Sequence, residues 1–208
     1  PCGNCRDAIR QYTDLEKLVI INAPKTGGRA IVVPGKSFFR NEFNDVTQEE
    51  SSRLLGSKAF FQALKAEKSA YNIYSSESSP KIYGAAIECE NGSVFKGSFR
   101  GNVAYHPDLP ISSAIANFRD SSDDLTRKNI KSFVIVSSEG VPDVLYKDRQ
   151  DALEFAEAIK ALDNKTGESL PIYLVNAADG HVLKTDTSEW LPFPFSADFE
   201  PILQRQSG

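Results

Sequence analysis

The chain has 208 residues, of which 40% are hydrophobic and 25% are charged, a composition typical of a folded globular protein. Its formal net charge of −4 argues against a nucleic-acid-binding protein, because such proteins normally carry a basic surface. The sequence has no apolar run of about 18 residues and no basic-then-apolar leader, so it predicts neither a membrane span nor a secretion signal. This length fits one large domain or two small ones.

Cysteine usage and the start of the chain bear on its cellular context. The three cysteines are an odd number, and two of them form a C-x-x-C, so they do not indicate a disulfide scaffold. They fit a reducing compartment, and we expect a cytoplasmic protein. The sequence begins at Pro1 and contains no Met. We interpret it as a fragment or a processed product of a longer parent.

The first predicted elements are a helix and two strands. The stretch NCRDAIRQY predicts a short helix that turns Ala8, Ile9 and Tyr12 inward. The apolar run KLVIINA has polar flanks and predicts a buried strand. After the turn PKTGG, the stretch RAIVV predicts a second strand.

A longer helical pattern follows in TQEESSRLLGSKAFFQALKAEKSAY. Its apolar residues recur at helical spacing, at Leu54, Leu55, Phe61 and Leu64. Thr47 and Glu50 form a capping box at its start, in which the two residues satisfy each other's backbone N–H groups. We therefore expect this stretch to be helical.

The remaining elements alternate between strands and helices. IYGAAIECENGSVFKGSF predicts a hairpin that turns at Asn91-Gly92, and PIYLVNAADGHVLKT predicts another that turns near Asp179-Gly180. LPISSAIANFRD and DRQDALEFAEAIKAL predict helices, and SFVIVSS predicts a buried strand. This alternation predicts an α/β protein in which a mixed sheet has helices on both faces.

An internal repeat relates the start of the chain to its last third. DAI from Asp7 aligns with DAL from Asp151 at an offset of 144 residues, and VIINA from Val19 aligns with YLVNA from Tyr173 at an offset of 154. The ten-residue difference falls in a polar loop, where insertions cost little. In both places a glycine turn, a strand and a Pro-aromatic stretch follow. We interpret the similarity as a duplication.

The repeat shows which residues take the places of the two leading cysteines in the later copy. At the offset of 144, Tyr146 stands at the position of Cys2, and Arg149 stands at the position of Cys5. The later copy therefore has no cysteine pair, and it cannot perform any chemistry that depends on these two thiols.

Three interpretations of PCGNC remain open: a terminal pair without function, a thioredoxin-type redox motif, and a zinc site. The redox motif would need a preceding strand, which this chain lacks. Cys2 and Cys5 lie on the first turn of a helix, which directs both sulfurs to one point and favours their thiolates. Cys89, His106 and His181 follow no ligand pattern, and we expect Cys89 to be a small buried residue. A remaining zinc ligand would then lie outside this chain.

PCGNCR with its helix and strand resembles the second zinc motif of the cytidine deaminase family. AYNIYSSESSPKIYGAAIECENGSVFKGSFRGNVAYHPDLPISSAIANF resembles the opening half of a domain of that family, without the zinc motif. Anchored on Tyr105, the family's first ligand would fall at Pro110 and its catalytic Glu at Ser112. The family usually has Gln where this chain has Asp7, which leaves the subclass open.

The resemblance implies a duplicated three-layer α/β/α fold with a mixed sheet. Residues 1–46, the first segment, would be the end of a zinc-binding catalytic domain. Residues 47–208, the second segment, would be a degenerate, metal-free deaminase domain. This arrangement resembles the two-domain deaminases of enteric bacteria and plants, and it implies a homodimer of two-domain subunits.

The resemblance also implies a reaction and its site. One zinc ion (Zn2+) would be held by Cys2, Cys5 and a third ligand, with that ligand and the catalytic Glu before Pro1. The expected activity is hydrolytic deamination of cytidine and deoxycytidine to uridine and deoxyuridine in pyrimidine salvage. Phe38 and Phe195 would pack near the pyrimidine, with core packing as the alternative, and Arg6 would pair with a thiolate or carboxylate or be a surface charge. Two other functions remain open: a non-catalytic scaffold, and deamination of another cytosine nucleoside. The isolated chain is expected to be inactive.

Overall fold

The computed structural model describes residues 3–22, 30–39, 43–71, 82–101, 107–121, 130–163 and 169–191. Its helices are α1 (Gly3–Tyr12), α2 (Gly35–Phe38), α3 (Gln48–Leu55), α4 (Lys58–Lys68), α5 (Pro110–Asp120) and α6 (Tyr146–Asp163). Its strands are β1 (Val19–Asn22), β2 (Ile31–Pro34), β3 (Asn44–Asp45), β4 (Gly84–Cys89), β5 (Val94–Ser98), β6 (Ile130–Ser137), β7 (Pro171–Asn176) and β8 (Val182–Asp186).

Six of these strands form one mixed sheet in the order β3-β8-β7-β6-β4-β5. Strands β6 and β7 are parallel, and the other neighbours are antiparallel. Both predicted hairpins are confirmed: β4 turns into β5 through Gly92 at φ 78°, and β7 turns into β8 through Gly180 at φ 76°. Glycine suits these turns because it adopts positive φ without a steric penalty.

Helices cover both faces of this sheet. Phe133 and Ile135 of β6 belong to a core cluster with residues of α5 and α6, while Val134 and Val136 pack with residues of α3 and α4. Because successive strand residues point to opposite faces, the four apolar residues from Phe133 to Val136 bury both faces of β6, as expected for a buried strand. The expected α/β class, a mixed sheet between two helical layers, is confirmed.

Glycine 97 brings α5 close to the sheet. A Cβ at Gly97 would lie 2.0 Å from the carbonyl oxygen of Pro110 and 2.4 Å from the backbone nitrogen of Ala114. Any side chain there would push the helix away from β5. The absence of a side chain at Gly97 therefore helps to fix the position of the first turn of α5.

Strands β1 and β2 form a separate antiparallel pair. Val33 faces a core cluster shared by both segments, made of Val33, Phe38, Phe39, Tyr146, Leu153 and Leu191. On the opposite face, Val19, Ile21 and Val32 are 57%, 66% and 60% exposed. The prediction that KLVIINA is a buried strand is therefore wrong in this structure, because no described layer covers the second face of the pair.

Helix α1 faces the core with a different side from the one predicted. Ala8 is exposed and Tyr12 is 77% exposed, while Ile9 is half-buried. Arg6, in contrast, is completely buried. The prediction that Ala8 and Tyr12 face inward is therefore wrong, because the side of α1 that packs against α6 is a charged one.

The long helical pattern after Thr47 contains two helices rather than one. Helix α3 ends before Gly56, and Ser57 starts α4 by accepting a hydrogen bond from the backbone N–H of Phe60 at 3.1 Å. The change of direction makes Phe60 a core residue and leaves Phe61 57% exposed.

The capping box at Thr47 forms in one direction. The Thr47 hydroxyl accepts the backbone N–H of Glu50 at 3.2 Å. The Glu50 carboxylate instead accepts hydrogen bonds from Lys184 and Tyr173 at 2.9 and 2.8 Å. Glu50 therefore links α3 to strands β7 and β8.

The two repeated stretches adopt the same order of elements. The first segment has a helix followed by an antiparallel strand pair, α1-β1-β2, and the second has α6-β7-β8. The duplication itself and the boundary at residue 46 stay predictions. In the described ranges, we find no helix with the length and apolarity needed to cross a bilayer.

Candidate metal centre

Helix α1 places Cys5 in its first turn, since the helix begins at Gly3. The Cys5 residue is exposed. A helix N-terminus carries partial positive charge and lowers the pKa of a thiol beside it, so this position suits a metal-binding thiolate. Cys2 lies outside the described residues, so its predicted role as the second sulfur ligand stays a prediction.

Arg6, next to Cys5, points into the protein. Its guanidinium carbon lies 4.1 Å from the centroid of the Phe38 ring, and Arg6 is fully buried. A cation over an aromatic face is stabilised by about 2 kcal/mol when both are removed from water. The alternative that Arg6 is a surface charge is therefore wrong, and the contact ties α1 to α2.

The predicted substrate-contacting phenylalanines have different standing. Phe38 is 3% exposed and packs edge-on against Phe39, with ring centroids 5.1 Å apart. Phe195 lies outside the described part of the chain. The packing accounts for Phe38 as a core residue of this chain, and contact of either ring with a pyrimidine stays a prediction.

Asp7 has a role that the sequence did not reveal. Its two carboxylate oxygens accept the backbone N–H groups of Tyr146 and Lys147 at 2.7 and 2.9 Å. Burial raises the pKa of Asp7, and these two hydrogen bonds partly oppose the rise. Asp7 therefore caps the N-terminus of α6, and no local spacing could predict this because the partners are 139 and 140 residues away.

Arg10, one turn further along α1, binds the segment just before α6. Its guanidinium binds the Asp143 carboxylate through two hydrogen bonds of 2.7 and 2.8 Å. The hydrogen bond to Asp143 raises the pKa of Arg10. Arg6, Asp7 and Arg10 thus form the charged side of α1 that replaces the apolar face expected from sequence.

The positions aligned with the cysteine pair carry no metal ligands in the second segment. Tyr146 and Arg149 contact each other, with the Arg149 guanidinium carbon 4.5 Å from the Tyr146 ring centroid and 5.4 Å from the Trp190 ring centroid. The Arg149 Nε donates to the Val144 carbonyl at 2.9 Å. Burial lowers the pKa of Arg149. A phenol and a guanidinium are not a donor set for zinc, which takes thiolate, imidazole or carboxylate ligands.

The positions aligned with the missing zinc motif lie at the start of α5. There the Asp148 carboxyl group accepts the backbone N–H groups of Ile111 and Ser112, each at 2.9 Å. The Tyr83 hydroxyl donates to the same carboxyl group at 3.1 Å. The pKa of Asp148 is raised to about 7, mainly by burial and to a smaller extent by the nearby Asp151, although the hydrogen bonds lower it.

Other metal-binding side chains do not assemble into a site. In the described residues, no group of three or more His, Cys, Asp and Glu could hold a metal ion. Cys89 is 2% exposed within the core, as predicted. His181 lies at the surface with its Nε2 2.9 Å from Asp45, and His106 lies outside the described ranges.

Comparison with known proteins decides the family. The family model described as "Cytidine and deoxycytidylate deaminase zinc-binding region" matches residues 35–159, more than half of the chain. The chain belongs to this deaminase family. The family is a zinc-binding one, so the predicted resemblance and the expected zinc cofactor are confirmed at the level of the family. No curated protein matches the chain.

One solved relative of the deaminase fold is the 1.6 Å crystal structure of cytidine deaminase from Burkholderia pseudomallei. It is 21% identical to this chain and covers 72% of this chain and 100% of its own, with a TM-score of 0.49.

The range matched by the deaminase model falls mainly on the second segment. It ends within α6 and includes Pro110, Ser112, Tyr146 and Arg149, none of which can serve as one of the zinc ligands described above. Cys5 lies outside the matched range. The family resemblance is therefore carried largely by a region that has no zinc ligand at the described positions aligned with the family's ligands.

Proposed function

We propose that this chain is part of a zinc-dependent enzyme that hydrolytically deaminates cytidine and deoxycytidine, with Cys2 and Cys5 as two of three zinc ligands. The observation that carries the proposal is the position of Cys5. It is an exposed cysteine in the first turn of a helix, in a chain of a zinc-binding deaminase family whose matched range offers no described metal site.

The chemistry divides between the metal and the protein. Bound zinc would supply an activated water for attack on C4 of cytosine. The partial positive charge at the N-terminus of α1 favours the thiolate of Cys5. The Arg6–Phe38 contact and the Asp7 cap hold α1 against α2 and α6, so that the first turn keeps a fixed position. In this proposal Phe38 and Phe195 lie near the pyrimidine.

We further propose that residues 1–46 end a catalytic domain and that residues 47–208 form a degenerate one. The exposed face of β1 supports this division. At the repeat offset of 154, Val19 and Ile21 correspond to Tyr173 and Val175, which pack beneath α3 and α4 in the second segment. By the same logic, helices encoded earlier in the parent would cover Val19 and Ile21.

The test compares metal content and turnover in matched proteins. The full-length parent should contain zinc bound through Cys5 and convert cytidine to uridine, while the 208-residue chain should be inactive. In the parent, Cys5→Ser should lose zinc and activity together. Cys89→Ser is the matched control, because this thiol lies in the core, and it should keep both. Zinc retained at full occupancy in Cys5→Ser would contradict the proposed ligand.

A non-catalytic scaffold is the second candidate function. The observation that favours it is the metal-free packing of the second segment around Tyr146 and Arg149. The residues immediately before Pro1 in the parent discriminate the two candidates. A Cys or His followed by Ala-Glu supports the enzyme, and absence of that motif supports the scaffold.

Assembly and location complete the proposal. A fused inactive domain would supply the same walls as a neighbouring subunit and preserve an oligomer, so we propose a cytoplasmic homodimer of two-domain subunits acting in pyrimidine salvage. Sedimentation of the full-length parent should give a dimer, and a monomer at working concentration would count against this assembly.

A further inference from the structure

Helix α5 begins without a cap of its own. Its N-cap residue, Leu109, has no side chain that can accept a hydrogen bond, and Pro110 at the first helical position has no N–H. The backbone N–H of Ser113 bonds to the Leu109 carbonyl at 2.9 Å, which starts the regular helical pattern. The N–H groups of Ile111 and Ser112 come too early for such partners. Ile111 is buried and Ser112 is half-buried, so their N–H groups need an acceptor from elsewhere.

Asp148 of α6 provides that acceptor. One carboxyl oxygen accepts the N–H of Ile111 and the other accepts the N–H of Ser112. The Ser112 hydroxyl lies 3.2 Å from the same group, and the Tyr83 hydroxyl donates from the segment before β4. Asp148 is 0% exposed. One buried side chain therefore joins α5, α6 and the sheet.

The location of this junction gives it meaning. Pro110 and Ser112 stand where the deaminase resemblance places the first zinc ligand and the catalytic Glu. Tyr146 and Arg149 stand where the repeat places the two cysteines. Asp148 lies between Tyr146 and Arg149 in the sequence. It bonds to α5, the helix that carries Pro110 and Ser112. In a zinc-holding domain, the corresponding helices would be joined through the metal.

We propose that Asp148 takes the structural place of zinc in the second segment, so that one carboxyl group holds α5 against α6 and this domain folds without metal. The inference rests on the proposed assignment of residues 47–208 as a degenerate deaminase domain. The neighbouring Arg149 supports it, since a buried guanidinium at the position of a cysteine ligand would repel a divalent cation.

Amide hydrogen exchange tests the proposal in the full 208-residue chain. In protein stripped of metal by a chelator, the amides of Ile111 and Ser112 should stay protected, because their acceptor is a side chain and not a metal-organised loop. In Asp148→Asn, an amide NH₂ would face one of these donors. Their exchange should accelerate by at least about tenfold, while the amide of Ser113 should change far less.

Asp151→Asn is the matched control variant. Asp151 lies one turn further along α6, and its Oδ2 accepts the Ser112 hydroxyl at 2.5 Å rather than a backbone N–H. Its substitution should leave the Ile111 amide protected. Fast exchange of Ile111 and Ser112 in the unsubstituted, metal-free chain would overturn the proposal, as would equal effects of the two variants. If Asp148→Asn does not fold, the unsubstituted metal-free chain still decides.

This outcome is independent of the proposed deaminase activity. Loss of zinc in Cys5→Ser of the parent tests the catalytic site, and protection of Ile111 and Ser112 tests the second segment. Either result can fail while the other holds.

Discussion

The stretches α1-β1-β2 and α6-β7-β8 have the same order of elements and aligned apolar strands, but their surroundings differ. Val175 of β7 is fully buried beneath α3 and α4, while Ile21, at the corresponding place in β1, is 66% exposed. An apolar strand sequence therefore specifies only a preference for burial. Whether a face is buried depends on the layer that the rest of the chain places over it.

The greatest difference in stability is expected between substitutions at the aligned residues Val175 and Ile21. Val175→Asp should destabilise the 208-residue chain by more than about 4 kcal/mol, because it buries a carboxylate without a partner. Ile21→Asp should change the free energy of unfolding by less than about 0.5 kcal/mol, because the side chain is already in water. Chemical denaturation of both variants provides the measurement. Equal destabilisation would show that the face at Ile21 is covered.

The stability of the protein should depend on pH through Asp148, a residue of the second segment. Its pKa of about 7 in the folded protein lies above the ordinary aspartate value of 3.8, so the folded state holds this proton more tightly than the unfolded chain does. The stabilisation is complete below about pH 4 and is lost as the pH rises towards 7, by an amount on the order of 4 kcal/mol.

Asp148→Asn should remove this slope, since an amide does not ionise in that range. Tyr83, Asp151 and Asp7 are the other titratable groups close to this junction, and Asp45→Asn at the surface serves as the control. A slope that persists unchanged in Asp148→Asn, measured by denaturation at several pH values, would assign it to other groups.

A smaller effect is expected where the first segment caps the second. Asp7→Ala should destabilise the chain by about 1 kcal/mol, because the N–H groups of Tyr146 and Lys147 lose their acceptor. Asp14→Ala on the exposed turn after α1 is the control and should cost less. Thermal unfolding provides the measurement, and no difference between the two variants would remove the capping role.

The smallest expected effect concerns the Arg10–Asp143 ion pair. Its side chains are 37% and 40% exposed, so solvent screens the pair despite its two hydrogen bonds. A double-mutant cycle with Arg10→Ala and Asp143→Ala should give a coupling energy of about 0.5 kcal/mol. A coupling several times larger would show that this pair is a principal link between α1 and the loop before α6.

Sequence patterns predicted the elements better than their orientation. Both hairpins were predictable because Asn91-Gly92 and Asp179-Gly180 are local turn signals, and β6 was predictable from its apolar run. The side of α1 that faces the core was not predictable. The burial of Arg6 depends on the Phe38 ring, which lies 32 positions later in the chain. The capping role of Asp7 depends on a helix whose first residue is 139 positions away.

The candidate site shows the same division. Cys5 in a helical first turn, and the absence of ligands at Pro110, Ser112, Tyr146 and Arg149, were visible from spacing and alignment alone. The use of Asp148 was not, because an aspartate in a helical stretch is usually a solvated residue. Only the approach of α5, allowed by Gly97, gives its carboxyl group two backbone donors.

Sequence alone was enough for the α/β class, the turns, the cysteine spacing and the absence of metal ligands at the aligned positions of the second segment, because these depend on residue type and short-range spacing. The tertiary structure decided which apolar faces are covered, where the α3–α4 break sends Phe60 and Phe61, and which charges become buried caps. Those properties arise from contacts between residues distant in the chain, and local periodicity carries no information about such partners.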